Sequence, residues 1–345
     1  MNKNIKIGFF GVKPDDEKYL RKKLEEKKIS AKVFFTEEII SPEHLPAQTN
    51  FSAISIFVDC VINKKVLESL PQLSFIAIRS TGYDNIDLSA TSEKNIIVSN
   101  VPSYGENTVA EFAFALILSL SRKICLAYNQ IKETGSFSVK NLQGFDLRGK
   151  TLGVLGTGRI GRHVVVIAKG FGMNVVAFDP HPNQEHAKEN DYVYLPFNDV
   201  LAQSDIITIH VPYMKETHHL IGKKQLAMMK KGAYLINTSR GGIVETEALI
   251  EYLRNGHLGG AGLDVLEEEG VIKDEMDFIL KGHPEEHSLK AILADYALIN
   301  MPNVIVTPHT AFNTREALLR ILDTTIDNIE TFIAGKATNQ VKFFT

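Results

Sequence analysis

Residues 150–161 read KTLGVLGTGRIG, and the fold of the chain turns on them. Leu152 to Leu155 form an apolar strand that runs into Gly156, Gly158 and Gly161. HVVVIAKGFGM follows, apolar and long enough for one short helix. A strand, a glycine-rich turn and a helix in that order make an anion site. Gly156 permits the tight turn, Gly158 lets a pyrophosphate approach the backbone, and Gly161 lets the helix lie close on the strand. The helix N-terminus offers unpaired N–H groups and partial positive charge to phosphate. The next strand, 174–178, ends at Asp179, 18 residues after Gly161. An acid at that spacing takes the ribose hydroxyls of NAD and repels a 2′-phosphate, which favours NAD over NADP.

Bulk properties set the frame. A chain of 345 residues can bury two ordinary cores. With 44% apolar and 23% charged residues it has a globular, not a disordered, composition. A net charge of −3 gives no reason to expect nucleic acid or another polyanion as partner. Cys60 and Cys125 lie in apolar sequence and read as reduced core thiols, not a disulfide framework. The first apolar run stops at Pro14-Asp15-Asp16, so it reads as a strand and not a signal peptide. The longest apolar run, 112–120, is too short to span a bilayer. A cytoplasmic protein without a membrane partner is expected.

Outward from the glycine turn, strands and helices alternate. In the first third, strands are expected at 5–10, 33–35, 52–58, 73–78 and 96–99, with helices at 15–28 and 64–70. That alternation implies a mostly parallel sheet with covered faces. The loop Arg79-Ser80-Thr81-Gly82-Tyr83 follows a strand's carboxyl end, where α/β sheets bind ligands. Gly82 would let backbone N–H groups face a small carboxylate; on the loop alone an ordinary turn is the stronger reading. A long helix is expected over 106–133, with Val109, Phe112, Ala113, Leu116, Ile117 and Leu120 at helical spacing. After the glycine turn, Asn198-Asp199 can cap a helix over 200–203, and a strand at 205–211 ends in His210-Val211-Pro212. Further helices fall at 222–231 and 246–255, the latter stopped by Gly256, with strands at 233–237, 262–266 and 303–307. Residues 270–300 read as an irregular, partly helical insertion, and 314–334 as an amphipathic helix returning to the first domain. The expected fold is α/β: two Rossmann-like or flavodoxin-like doubly wound domains, mostly parallel, with an active-site cleft between them. Residues 1–102 plus 312–345 would form the substrate-binding domain and 103–311 the NAD-binding domain.

Arg240, the Glu267–Glu269 cluster and His309 follow the ends of successive strands, and in a parallel sheet those ends share one rim with the glycine turn. An arginine there can grip a carboxylate through two parallel hydrogen bonds. A histidine can exchange a proton near neutral pH, and a neighbouring carboxylate favours its charged form. Singly, each residue has a dull reading as a loop charge, a solvated acidic run or a structural histidine. Together they suit hydride transfer, with a cofactor, an anion clamp and a proton donor.

GTGRIG, FDP, HVP, NTSRGG, GLDVLEEE and TPHTAF, in this order, resemble the D-2-hydroxyacid dehydrogenases over nearly the whole chain. NVPSY, TPHTAF and the insertion after the glutamate bring it nearest to the D-lactate dehydrogenase branch, including the forms found in glycopeptide-resistance systems. The resemblance assigns roles. Arg240 matches the substrate-binding arginine and His309 the acid/base. Counting five positions from Asp264 selects Glu269 as the acid that orients and charges His309. Asp264 matches a nicotinamide contact, Arg159 and Ile160 the pyrophosphate loop, and Asp179 the ribose acid. Val211, Pro212, Thr217, Thr238 and Ser239 would line the cofactor cleft. Thr81 and Gly82 match a carboxylate-binding loop, and Tyr104 and Phe312 side chains that border the substrate. A homodimer built through the cofactor domains is implied.

Phe112 stands where many relatives carry histidine, and Gly270 where many carry proline. His283-Pro284-Glu285-Glu286-His287 fits no zinc pattern and reads as a solvated loop, and His218-His219 as surface; no metal is expected. Reductases of glyoxylate, hydroxypyruvate or branched 2-keto acids remain open as alternatives. So does a non-catalytic NADH-sensing protein of the same fold, which can keep the same three residues. The short chain end disfavours a phosphoglycerate dehydrogenase, and the acid at 269 disfavours a formate dehydrogenase.

Overall fold

Short apolar strands build the first sheet, its inner strands buried on both faces and one edge strand, 32–35, only partly so. β1 (Lys6–Phe9), β2 (Lys32–Phe35), β3 (Ala53–Ile56), β4 (Phe75–Ile78) and β5 (Ile97–Ser99) pair in parallel in the order β2-β1-β3-β4-β5. Along β4, Phe75 and Ala77 join one layer with Ile7, Phe9, Leu20 and Ile326, while Ile76 and Ile78 join the opposite layer with Ile54, Ile56, Val66 and Leu67. This is the period of two that a strand imposes, with helices over both faces. Each fully buried Leu, Ile or Phe there contributes roughly 1.5–3 kcal/mol.

The helices of this layer start where their caps dictate. α1 (Pro14–Glu26) opens on a proline and carries Asp15, Asp16 and Glu17 in its first turn, which suits the helix dipole. α2 (Lys64–Ser69) is capped by Asn63, whose side chain accepts the Val66 amide at 3.1 Å. Asp87 caps α3 (Leu88–Glu93) by accepting the Ala90 amide at 2.9 Å.

The computed structural model of the chain describes residues 5–267 and 289–341. They fall into two compact units, Met1–Tyr104 with Thr314–Thr345, and Gly105–Asn313. The second unit holds α4 (Glu106–Ser121), α5 (Ile124–Thr134), β6 (Thr151–Leu155), α6 (Arg159–Gly170), β7 (Asn174–Phe178), α7 (Gln184–Glu189), β8 (Val193–Tyr194) and α8 (Phe197–Gln203). It continues through β9 (Ile206–Ile209), α9 (Lys223–Met228), β10 (Ala233–Asn237), α10 (Thr246–Arg254), β11 (Leu258–Leu263), α11 (Leu289–Ile299) and β12 (Val304–Val306). Its seven strands are parallel in the order β12-β11-β10-β9-β6-β7-β8. The winding reverses between β6 and β9, and the carboxyl ends at such a reversal are where an open α/β sheet binds its ligand. α12 (Arg315–Ile333), capped by Thr314 accepting the Ala317 amide at 3.2 Å, lies in the first unit and stacks Phe332 on Phe75 at 4.2 Å.

Four local expectations are corrected. The helix expected over 106–133 breaks at Lys123, whose φ is +52°, because the Ser121 carbonyl accepts the Phe145 amide at 2.9 Å instead of a helical one. Asn198 and Asp199 do not cap α8; they sit inside its first turns, with Pro196 at the cap position. The strand expected at 262–266 runs earlier, over Leu258–Leu263. Cys60 is buried, but Cys125 is exposed on α5 and is no core thiol. Among the described residues no helix is long and apolar enough to cross a membrane.

Candidate active site

The glycine turn is built by contact. Gly156 has a φ of +91°, and a Cβ there would come 2.7 Å from the His210 carbonyl oxygen. β6 and β9 therefore approach as closely as backbones can at the point where the sheet reverses. A Cβ on Gly161 would lie 2.1 Å from the Gly156 carbonyl oxygen, so α6 rests directly on the turn. Gly158, the cap residue of α6, differs: a Cβ there would meet nothing within 4 Å. Its bare side is free for a ligand to approach. Arg159 is exposed and Ile160 half-buried at the first turn of that helix.

Asp179 follows β7 and faces the turn. Its Oδ2 accepts the Thr157 amide at 2.7 Å and the Thr157 hydroxyl at 3.0 Å, and its Oδ1 accepts the His181 amide at 2.8 Å. The glycine spacing passes over Thr157, which sits between two of the motif's glycines, and nothing in the sequence signals that it binds the acid.

Buried polar atoms beside this turn include two without a hydrogen-bond partner, Nδ1 of His210 and Oγ1 of Thr238. Such atoms cost about 1–3 kcal/mol each when left unmet, so their place at the ends of β9 and β10 suits a polar ligand. With the open side of Gly158 and the acid at Asp179, these residues fit a dinucleotide. The other Nε2 of His210 meets Thr208 Oγ1 at 2.8 Å, and burial pulls the imidazole pKa down to about 3. Val211 is buried, whereas Pro212 is exposed and its carbonyl accepts the Thr217 hydroxyl at 2.7 Å. Thr217 thus closes its own loop. Ser239 Oγ donates to the Ile209 carbonyl at 2.9 Å, tying the end of β10 to that of β9.

Arg240 follows directly. Asn237 Nδ2 donates to its carbonyl at 2.8 Å, and Arg240 Nη1 donates to the Ser239 carbonyl at 2.8 Å. The next residue, Gly241, is pressed so hard on the segment after β11 that a Cβ would lie 2.0 Å from the Leu266 backbone. The exit of the arginine strand and the exit leading to the acidic triplet are therefore in contact.

His309 sits just past β12 with a φ of +51°, and its amide donates to the carbonyls of Asp264 and Thr307, each at 2.9 Å. Asp264 is 1% exposed. Its carboxylate accepts Thr307 Oγ1 at 2.6 Å, Thr310 N at 2.9 Å and Ala311 N at 2.8 Å. Burial pushes the Asp264 carboxyl pKa up, against the opposing pull of those hydrogen bonds. Phe312 is half-buried two residues on from Thr310.

Of the acidic triplet, Glu267 is engaged by His219, Nε2 to Oε1 at 2.6 Å, and accepts the Thr246 amide at 3.3 Å. Burial raises its pKa, but the bonds to His219 and Thr246 outweigh that and leave it below the ordinary carboxylate value. His219 is thus no idle surface residue, a correction that no sequence pattern signals. Glu269, Gly270 and the segment 283–287 lie outside the described residues.

In the first unit, Thr81 and Gly82 follow β4. Thr81 Oγ1 donates to the Val101 carbonyl at 2.8 Å, Ser80 Oγ to the Gly82 carbonyl at 2.6 Å, and Asn100 Nδ2 to the Thr81 carbonyl at 2.8 Å. The loop is held by its carbonyls and hydroxyls, and no described residue accepts the amides of Thr81 or Gly82. Beneath it Arg79, 4% exposed, donates to Ser55 Oγ and the carbonyls of Phe10 and Gly11 at 2.6–2.9 Å, and burial lowers its pKa to about 10. Tyr104 is half-buried, its carbonyl accepting Arg320 Nε.

Known proteins bear on this arrangement. Residues 114–311 match the family model of the NAD binding domain of D-isomer specific 2-hydroxyacid dehydrogenases. A 2-hydroxyacid dehydrogenase A of Aspergillus oryzae is 38% identical over 95% of this chain and 92% of its own length. An aromatic 2-oxoacid reductase of Clostridium sporogenes is 36% identical over 97% of this chain and 99% of its own. The solved structure of D-lactate dehydrogenase from Aquifex aeolicus, complexed with NAD and lactic acid, superposes with a TM-score of 0.83 at 33% identity, covering 96% of each chain. The chain is an NAD-dependent oxidoreductase acting on CH–OH groups, and it belongs to the D-isomer-specific 2-hydroxyacid dehydrogenase family.

Proposed function

We propose that this protein is a D-lactate dehydrogenase, reducing pyruvate to D-lactate. NADH supplies the hydride to C2 of the keto acid. Gly156, Gly158, Arg159, Ile160 and Gly161 hold its pyrophosphate, Asp179 its ribose, and Val211, Pro212, Thr217, Thr238 and Ser239 the rest. Arg240 grips the substrate carboxylate with paired N–H donors. The unengaged amides of Thr81 and Gly82 take the same carboxylate. His309 gives its proton to the oxygen that becomes the alkoxide. Glu269 keeps His309 charged; the engagement of Glu267 by His219 supports the count that selects Glu269. Tyr104 and Phe312 border the substrate side chain. Asp264 acts at the nicotinamide end of the site while its carboxylate anchors the His309 turn.

The observation that carries this reading is the anchored turn: a carboxylate buried under three donors holds His309 in a left-handed backbone past the end of β12, with β11 alone between β12 and β10, whose end bears Arg240. The test is loss of reduced-nicotinamide absorbance across a panel of 2-keto acids, with His309→Ala as control. Turnover of pyruvate is expected to exceed that of phenylpyruvate, and His309→Ala to lower it about 10²- to 10⁴-fold with NADH affinity close to the parent's. Unchanged turnover in that variant removes the histidine from the mechanism. The Clostridium sporogenes relative motivates a second reading, in which the pocket accepts aromatic 2-keto acids; the same panel decides between them. We also propose a cytoplasmic homodimer formed through the cofactor unit, whose α5 carries no buried residue.

A further inference from the structure

Behind Asp179 runs a line of hydroxyls that the glycine motif does not account for. Thr157 Oγ1 meets Tyr194 OH at 2.8 Å, Tyr194 OH meets Tyr192 OH at 2.9 Å, and Tyr192 OH meets His186 Nδ1 at 3.2 Å. Asn183 N also donates to Tyr194 OH, at 3.1 Å. A carboxylate can only accept, so the Thr157 hydrogen points at Asp179. Thr157 then accepts from Tyr194, Tyr194 accepts from Tyr192, and Tyr192 accepts from His186. Each hydroxyl has one hydrogen, so this direction is the only one that makes every bond, and it requires the hydrogen of His186 to sit on Nδ1.

The relay is shielded. Tyr192 is 6% exposed. Burial, and then its bond to Tyr194, push the Tyr192 phenol above its ordinary pKa, which keeps it a donor. Its effect on the acid can be counted. A carboxylate offers about four lone-pair positions. Thr157 takes both on Oδ2, through its amide and its hydroxyl, and the His181 amide takes one on Oδ1. The position left open is on Oδ1.

We propose that Thr157 and Tyr194 are positioning residues for cofactor choice: they lock the Asp179 carboxylate so that its remaining oxygen position meets a ribose hydroxyl and excludes a 2′-phosphate. A freely rotating aspartate could turn its charge away from a phosphate; one pinned through Oδ2 cannot. The proposal rests on the reading of Asp179 as the ribose acid.

The test is fluorescence titration of the full-length protein with NADH and, separately, NADPH, read as the ratio of the two dissociation constants. Asp179→Ala should collapse the preference for NADH. Thr157→Val, which deletes the hydroxyl donor to the carboxylate, should lower the ratio about tenfold or more, and Tyr194→Phe about fivefold. Thr157→Ser, which keeps the hydroxyl, should restore it. A loss of packing alone would weaken both cofactors equally and leave the ratio where it was. If Asp179→Ala collapses the ratio and both Thr157→Val and Tyr194→Phe keep it, the positioning role is wrong. A ratio unmoved by Asp179→Ala overturns the ribose assignment itself, and the proposal with it. Should Thr157→Val fail to fold, Tyr194→Phe, which removes one oxygen, decides alone.

Discussion

The carboxylate of Asp264 accepts the backbone amide of Ala311 at 2.8 Å, two residues beyond His309. With Thr307 Oγ1 on the near side and Thr310 N between, it staples the turn on both flanks of the histidine. The staple offsets a cost, since a non-glycine residue at positive φ, as at His309, stores about 1–3 kcal/mol of strain. Asp264→Asn keeps the shape but replaces one acceptor oxygen by an amide donor facing other donors. The turn should relax and the imidazole shift. Misplacement of a catalytic group by about 1 Å can cost 10²-fold, so kcat at saturating NADH is expected to fall about 10²-fold. Steady-state kinetics check this; a kcat within about twofold of the parent's would show that the turn holds without the carboxylate.

His210 gives the protein a pH dependence with a definite sign. Unfolded, the imidazole titrates near 6.5; folded and buried, near 3. Between those values the unfolded chain binds a proton that the native chain refuses. Stability therefore falls as pH drops from 6.5, by up to about 1.4 kcal/mol per unit. Most carboxylates titrate below about pH 5, so from 6.5 to 5 the change comes mainly from histidines; burial lowers His186 as well, and the comparison with a variant is what singles out His210. His210→Gln, which can keep a bond to Thr208, is expected to show a flatter stability profile there by urea denaturation. Equal slopes in variant and parent would mean that His210 is not the group responsible.

How much could be read in advance follows from what is local. Strand β6, its glycines, α6, β7 and Asp179 are contiguous, and apolar runs and glycine spacing are visible without a partner. The displaced β11 shows the limit. The expected strand starts at Gly262, yet Gly259 and Gly260 already lie in it, where a Cβ would collide, at Gly259 with the Gly232 carbonyl and at Gly260 with that of Asn303. Only the neighbouring strands reveal why glycine is there. Arg79 is similar: its loop looks like an ordinary turn, and its three acceptors come from β3 and the chain just past β1. His219 meets Glu267 48 residues away, and Thr157 meets Tyr194 37 away, pairings that no window of sequence contains.

The proposed homodimer makes α5 testable. Ile124, Tyr128 and Ile131 are 52%, 62% and 44% exposed, and Phe137 and Val139 just beyond are 86% and 83% exposed. Apolar surface of this extent on a helix of the cofactor unit is what a second copy would cover. Ile131→Asp combined with Phe137→Asp places two charges on that face. Sedimentation velocity is expected to shift from dimer to monomer with the far-UV spectrum unchanged. A dimer of undiminished affinity would move the interface elsewhere.

Gly158 and Gly161 separate binding from folding within one motif. The added methyl of Gly161→Ala has nowhere to go, since the Gly156 carbonyl oxygen would lie 2.1 Å away and belongs to backbone that β9 also presses upon. α6 would have to lift off β6, where Val164, Val165 and Ala168 are fully buried. Overpacking of this kind costs about 1–3 kcal/mol or more, so the thermal midpoint should drop by several degrees with or without NADH. The methyl of Gly158→Ala meets nothing within 4 Å, and the backbone φ of −63° is one that alanine adopts freely. Its midpoint without ligand should match the parent's, because the only thing the methyl can obstruct is a molecule arriving from outside. NADH affinity is then expected to fall about tenfold or more, a loss of about 1.4 kcal/mol, visible as a smaller stabilisation on adding NADH. Undiminished NADH binding by Gly158→Ala would mean that the pyrophosphate does not approach this face of the turn.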